Sequence, residues 1–149
     1  MNTGPGKGMN TAPGSGTGSG RDPGSNRRRT GAAYESLAAE FLRSQGFSIL
    51  ERNFRTRAGE IDLIAMDGGY LCFIEVKYRK NDRMGMPAES VGIRKQRRIL
   101  AVSQYYLSIH HLNGACVRYD VVEIVGDRIR VLKDCFGGYR PRMGKNTIS

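Results

Sequence analysis

Two apolar runs separated by a short glycine turn place the strongest constraint on how this chain folds. Residues 60–66 and 70–78 each have the length and apolar content of a strand, and Asp67, Gly68 and Gly69 lie between them. Aspartate and glycine readily adopt the positive φ angles that tight two-residue turns require. The segment is therefore predicted to form an antiparallel hairpin in which Asp67 faces Tyr70.

The periodicity of the remaining chain predicts a helix and a strand before this hairpin, and a long helix and two strands after it. The expected ranges are a helix at 32–45, a strand at 47–54, a helix at 90–109, and strands at 117–125 and 128–132. A long helix between the third and fourth strands can act as a crossover that places those strands parallel. The predicted fold class is therefore α/β, with a mixed sheet flanked by helices.

The two ends of the chain differ in composition from its centre. Of the first 30 residues, 21 are Gly, Pro, Ser, Thr or Asn, and none is Leu, Ile, Val or Phe. Such a segment lacks the apolar side chains whose burial would offset the entropy lost on ordering. We therefore expect a disordered, Gly-rich basic tail at 1–30, one folded domain at 31–139, and a flexible basic tail at 140–149.

Charge and hydropathy limit the classes of partner. The chain carries 24 Lys and Arg against 14 Asp and Glu, a net charge of +10, which favours polyanions such as nucleic acid, although an anionic membrane surface would also fit. Much of the surplus lies in the two tails, so charge alone does not establish nucleic-acid binding. No apolar run is long enough to cross a bilayer and none resembles a secretory signal, so a soluble protein with a cytoplasmic location is predicted. The partner expected is DNA, with no membrane. The three cysteines are far apart, which disfavours a disulfide framework or a zinc site.

The predicted hairpin register brings charged residues into an otherwise apolar sheet. Continued along both strands, it sets Asp62 opposite Glu75 and Glu60 opposite Lys77. Opposed residues on adjacent strands have Cβ atoms about 4.5 to 5.5 Å apart, so two carboxylates would meet with an ammonium group nearby. Alternatively, Glu75 and Lys77 form a solvated strand face, and Glu60 is a salt-bridge partner of Lys77.

Two carboxylates at this distance repel each other unless a cation stabilises both. Mg²⁺, or Mn²⁺ in its place, takes oxygen ligands and commonly uses one or two carboxylates together with water and substrate phosphate. Asp62 and Glu75 are therefore candidate metal ligands. The ion would polarise a phosphate and activate a water molecule, while Lys77 would orient that water or stabilise the developing negative charge. This combination indicates phosphodiester hydrolysis.

Asp62 with Glu75-Val76-Lys77 on adjacent strands resembles the PD-(D/E)xK signature of the restriction-endonuclease-like superfamily, which includes archaeal Holliday junction resolvases. Segments 59–64 and 73–79 more closely resemble the YraN family of bacterial endonuclease-like proteins. The resemblance covers about residues 31–125. Further positions that carry it are Glu35, Ala39, Leu42, Gly46, Asn53, Arg55, Val91, Lys95, Arg98 and the run 118–121.

The resemblance implies a restriction-endonuclease-like αβββαβ core and a site for catalysis. Asp62, Glu75 and the carbonyl of Val76 would hold the metal, and Lys77 would act as the catalytic base or its helper. An acidic residue on the first helix, here Glu35, would complete the site; otherwise Glu35 is an ordinary helix-surface residue. The resemblance also implies a homodimer, because a four-way junction presents two symmetric cuts. Tyr34, where the family often has glycine, and the Gly-rich leader depart from the family pattern.

Several basic residues lie near the predicted site and are candidate contacts to a phosphate backbone. They are Arg79, Lys80, Arg94, Lys95 and Arg98. A solvated surface is the alternative interpretation of these charges. The predicted function is a nucleic-acid-binding, metal-dependent endonuclease that acts on DNA, including branched or junction DNA. The alternatives are a nucleic-acid-binding protein of the same fold without turnover and, third, a purely structural partner of other proteins.

Overall fold

A computed structural model describes residues 23–80 and 91–137, which form two helices and five strands. In chain order these are α1 (Pro23–Ser44), β1 (Ser48–Thr56), β2 (Gly59–Asp67), β3 (Tyr70–Arg79), α2 (Ile93–Ile109), β4 (Cys116–Val125) and β5 (Arg128–Leu132). The types and order of the elements agree with the predicted α/β pattern.

The boundaries of the two helices differ from the predicted ones. α1 begins at Pro23 rather than residue 32, because proline is compatible with the first turn of a helix and the following arginines favour helix. α1 thus extends into the segment assigned to the N-terminal tail. α2 begins at Ile93, after Gly92, rather than at residue 90. The rest of the predicted N-terminal tail and the tail at 140–149 lie outside the described residues.

The five strands form one mixed sheet in the order β1-β2-β3-β4-β5. β3 and β4 are parallel, with α2 as the crossover between them, and the other neighbouring strands are antiparallel. The β2–β3 ladder pairs Asp67 with Tyr70 and continues to Leu63 with Ile74. This is the register predicted from the turn. Gly68, with a φ of 58°, supplies the left-handed conformation that the turn requires.

The two helices pack on opposite faces of the sheet. α1 contributes Ala38, Ala39 and Leu42 to the core on one face, and α2 contributes Ile99, Val102 and Tyr106 to the core on the other. The β strands between them are therefore buried on both sides, and any charged side chain in their middle must find a partner there. Within residues 23–80 and 91–137, neither helix is long and apolar enough to span a membrane.

Candidate active site

The sheet forks between β2 and β3 at the point where the predicted carboxylates lie. The β2–β3 ladder ends at Leu63 and Ile74. Beyond that point β2 remains paired with β1 down to Gly59, and β3 remains paired with β4 up to Arg79. Asp62 and Glu75 are the first residues past the last rung.

The side chain of Asp62 bridges the fork. Its Oδ2 accepts a hydrogen bond of 2.8 Å from the backbone N–H of Val76, so a carboxylate takes the place of a backbone carbonyl from the neighbouring strand. The N–H and C=O of one residue in an extended strand point to the same strand edge. The carbonyl of Val76 is therefore directed toward the fork as well, next to the carboxyl group of Asp62.

Asp62 and Glu75 are both buried and interact directly. Their exposed fractions are 8% and 5%. The pKa of Asp62 is raised from 3.8 to about 7. Burial is the main cause, the charge of Glu75 and a hydrogen bond with its side chain contribute to the rise, and the Val76 amide and the charge of Lys95 act in the opposite direction. Asp62 therefore binds a proton more readily than an ordinary aspartate, as expected for a buried carboxyl group beside a like charge.

Two lysines lie near Glu75, each close to a different carboxylate oxygen. Lys77 Nζ lies 3.9 Å from Oε1, and Lys95 Nζ, which comes from α2, lies 3.4 Å from Oε2. Although Lys95 is close enough to form an ion pair, Oε2 is buried and accepts no hydrogen bond from the described part of the chain. A buried carboxylate oxygen without a hydrogen bond is costly, and a cation in the fork would satisfy it.

Glu35 is half-buried on α1, and its expected role in the site stays a prediction. α1 reaches the end of β3 through Tyr34, whose ring stacks on Tyr78 with centroids 4.1 Å apart. In residues 23–80 and 91–137, no three Asp, Glu, His or Cys side chains come close enough together to form a metal-binding group. The structure thus brings Asp62 and Glu75 together as a pair of carboxyl groups.

The structure changes the expected partner of Glu60. Because the β2–β3 ladder ends at Leu63, Glu60 does not pair with Lys77 in the sheet. Its Oε2 instead lies 3.1 Å from Nε of Arg55, the residue that faces it on β1.

The predicted basic residues fall into different environments. Arg79 lies 3.5 Å from the buried carboxylate of Glu123 and is mostly buried, so part of its charge stabilises the sheet. Lys80 and Arg94 are exposed. Lys95 and Arg98 line a pocket of about 310 Å³ beside the fork.

Arg55 lines the same pocket, together with Thr56, Gly59 and Glu60. The sequence pattern did not single out Arg55 as a binding residue. Arg55 could have been identified from its position opposite Glu60 in the short β1–β2 hairpin, because Glu60 lies on the same strand as Asp62.

Fold and site define an α/β protein with a five-stranded mixed sheet and a buried carboxylate pair at a fork between two central strands. Residues 34–124 match the model of the uncharacterised protein family UPF0102. The chain therefore belongs to this family, in agreement with the resemblance to YraN. It is 44% identical over 115 residues to a UPF0102 protein of Lachnoclostridium phytofermentans, an alignment that covers 76% of this chain and 98% of the relative.

Two further relatives show similar identity. The chain is 45% identical over 112 residues to a UPF0102 protein of Syntrophus aciditrophicus, which covers 72% of this chain and 88% of the relative. It is 50% identical over 97 residues to UPF0102 protein STH1475 of Symbiobacterium thermophilum, which covers 65% of this chain and 82% of the relative. The fork, from Gly59 to Arg79, lies inside the matched segment 34–124.

Proposed function

We propose that this protein is a nucleic-acid-binding, metal-dependent endonuclease of the restriction-endonuclease-like superfamily that hydrolyses phosphodiester bonds in DNA, including branched or junction DNA. The observation that carries the proposal is the pair of buried, directly interacting carboxyl groups of Asp62 and Glu75, with the ammonium group of Lys77 beside Glu75. A binding protein without turnover has no need for two carboxyl groups held against each other.

The groups at the fork fit a hard divalent cation. Asp62 and Glu75 offer carboxylate oxygens, Oε2 of Glu75 accepts no hydrogen bond within the described residues, and the Val76 carbonyl is directed toward the same space. Mg²⁺ and Mn²⁺ prefer oxygen ligands and retain water molecules in sites with few carboxylates. Asp62, Glu75 and the Val76 carbonyl would therefore hold the ion, with Glu35 as the candidate for an additional ligand.

The residues of the fork have different roles in the proposed hydrolysis. A bound divalent ion supplies a Lewis acid that polarises the phosphate and lowers the pKa of a water molecule. Lys77 shares a strand face with Glu75, so its Nζ can donate a hydrogen bond to the attacking water or to a phosphate oxygen on which negative charge develops. Burial and the charge of Glu75 raise the pKa of Asp62, so positive charge at the fork would favour the ionised form of Asp62.

A cleavage assay tests this function. Purified protein is incubated with plasmid, flapped and four-way DNA substrates in Mg²⁺ or Mn²⁺, with Lys77→Ala as the control variant. We expect cleavage by the wild type and a loss of about 100-fold or more in rate for Lys77→Ala, the usual contribution of a positioned proton-transfer group. Cleavage that survives the substitution would come from a different site or from a contaminating nuclease, and would refute the assignment.

A second candidate function is nucleic-acid binding without turnover. It is favoured by one observation: Lys77 and Lys95 both pair with Glu75, so the carboxylate has charge partners even without a metal ion. DNA binding with no cleavage of any substrate in either metal would support this second function.

A homodimer is proposed on the same basis as junction cleavage. Light scattering that shows a monomer at high concentration, both free and with DNA, would contradict the homodimer.

A further inference from the structure

We propose that the pocket beside the fork binds a second phosphate group of the nucleic-acid strand, next to the phosphodiester that reacts at Asp62 and Glu75. Arg55, Lys95 and Arg98 would form this phosphate subsite. The proposal rests on the proposed function for the identity of the strand, but the pocket itself can bind phosphate whether or not the strand is cut. It would make the protein recognise a chain of phosphates rather than a single phosphodiester.

The pocket has the charge that a phosphate requires. Three of its six lining residues are cationic, one is acidic, and the other two are Thr56 and Gly59. Arginine and lysine are the side chains that most commonly contact phosphate oxygens. The cations come from β1 and α2, so the pocket lies where the end of the β1–β2 hairpin meets the first two turns of α2.

Arg98 is held in place by its aliphatic stem and keeps its guanidinium group available. A Cβ at Gly59 would lie 3.4 Å from Cβ of Arg98, and the φ of Gly59 is +151°. This distance is an ordinary van der Waals contact, so the Arg98 stem packs beside the β2 backbone at Gly59. Arg98 forms no ion pair with the described part of the chain, so its charge is free for a ligand.

Arg55 has a partner that a phosphate can replace. Its ion pair with Glu60 at 3.1 Å is largely solvent-exposed, with 71% and 47% of the two side chains accessible. Exposed ion pairs contribute little to stability because water screens them and because two flexible side chains must be held together. Glu60 is therefore a weak competitor for Arg55, and its own charge repels a phosphate.

Lys95 connects the pocket to the carboxylate pair. It lines the pocket, and its Nζ lies 3.4 Å from Oε2 of Glu75. A strand whose reacting phosphate lies at the fork would therefore place a neighbouring phosphate within reach of Lys95, Arg98 and Arg55. The ammonium group of Lys95 could turn from Glu75 to that phosphate if the charge of Glu75 were neutralised by a cation held at the fork.

The first test measures the salt dependence of binding without turnover. Affinities of the full chain for a labelled DNA oligonucleotide and for an RNA of the same sequence are measured by fluorescence anisotropy in chelator, at several salt concentrations. Each lost phosphate contact lowers the slope of log affinity against log salt by about 0.7 to 0.9. We expect this decrease for Arg98→Gln, with both nucleic acids, because the contact is made to phosphate.

Arg97→Gln is the matched control. Arg97 is exposed on the same helix and does not line the pocket, so the two variants have the same net charge and the same change in helix propensity. Equal slopes for Arg98→Gln and Arg97→Gln would overturn the proposal, since the effect would then be one of general charge. A wild-type protein that binds neither oligonucleotide would overturn it as well.

A second variant tests the pocket by a gain of binding, which unfolding cannot imitate. Glu60→Gln removes the competitor of Arg55, so we expect roughly 1.5- to 5-fold tighter binding, the range that an exposed ion pair can account for. Its control is Glu40→Gln, which makes the same change of charge at an exposed position of α1, on the other face of the sheet. Equal affinities of the two variants would refute the role of Arg55.

The phosphate subsite and the nuclease activity can fail independently of each other. Selective effects of Arg98→Gln and Glu60→Gln on binding, in a protein that cuts no substrate, would support the phosphate subsite and refute the nuclease. Cleavage by a wild-type protein in which neither variant differs from its control would support the nuclease and refute the subsite.

Discussion

Replacing Asp62 by asparagine is expected to stabilise the metal-free protein at neutral and alkaline pH while it removes the proposed function. An asparagine amide can accept the hydrogen bond from the Val76 N–H through its carbonyl oxygen and donate one to Glu75 through its NH₂ group. Both contacts that Asp62 makes in the fork would therefore be retained. The cost of ionising a second buried carboxyl group beside Glu75 would disappear.

The size of this effect follows from the pKa of Asp62. Its pKa in the folded protein is about 7, against an ordinary value of 3.8. Between these two pH values the folded state keeps a proton that the unfolded state has lost, so the free energy of unfolding falls as pH rises, by about 1.4 kcal/mol per pH unit. The loss is absent below about pH 4 and reaches about 4 kcal/mol above pH 7. Asp62→Asn should avoid this loss.

Urea denaturation in chelator, from about pH 4 to about pH 8, measures this difference. The stability of Asp62→Asn relative to the wild type should rise with pH across this range. Asp67→Asn is a control of opposite sign: hydrogen bonds from Lys133 and Arg118 lower the pKa of Asp67, so its charge stabilises the fold and its loss should destabilise the protein at neutral pH. Parallel pH profiles of wild type and Asp62→Asn would refute the reasoning.

Two further substitutions test other parts of the charge network. Lys95→Met should bind Mn²⁺ about tenfold more tightly than the wild type, because it removes a cation 3.4 Å from Glu75. Titration calorimetry or electron paramagnetic resonance measures the affinity, with Arg97→Gln as the control. An unchanged or weaker affinity would contradict a metal site at Glu75. Asp120→Asn should lower the free energy of unfolding by about 3 kcal/mol, because Arg118 is mostly buried and would lose its bidentate partner. Urea denaturation measures this loss. A midpoint close to that of the wild type would show that Asp67 alone is enough to neutralise the charge of Arg118.

Sequence patterns were sufficient to predict the central hairpin and its neighbours. The glycine turn fixed the register from Asp67–Tyr70 to Leu63–Ile74, because a shift by one residue would have turned every apolar side chain to the wrong face. The parallel pairing of β3 with β4 followed from a helix long enough to serve as crossover. The register depends on residues close together in sequence, and the parallel pairing depends on a rule for crossover connections that has few exceptions.

The end of the hairpin ladder and the partners of the site residues were not predictable in the same way. Extending the register by simple alternation places Glu60 against Lys77, but the strands part at Asp62, where a side chain replaces a backbone hydrogen-bond partner. Lys95 reaches Glu75 from α2, a contact between segments about 20 residues apart that depends on helix packing. No local pattern specifies such a contact.

The sheet contains other buried acidic residues, and their environments differ from that of the fork. Asp120 is fully buried and is held by Arg118 through hydrogen bonds of 2.9 and 2.8 Å to its two oxygens. Glu123 accepts a hydrogen bond of 2.7 Å from Arg130. Arginine provides several donors in a fixed planar arrangement that matches a carboxylate, so these acids are satisfied within the protein and require no ligand.

Asp62 and Glu75 have no arginine partner of this kind in the described chain; they have each other and two lysines at 3.4 and 3.9 Å from Glu75. Elsewhere in this sheet, buried acids are neutralised by arginine. At the fork, the charge partners of Glu75 are lysines instead. A lysine ammonium group on a flexible stem can move aside for an incoming cation or phosphate, whereas a bidentate arginine would have to break two short hydrogen bonds. The choice of lysine at the fork is thus consistent with a site that exchanges its charge partners during function.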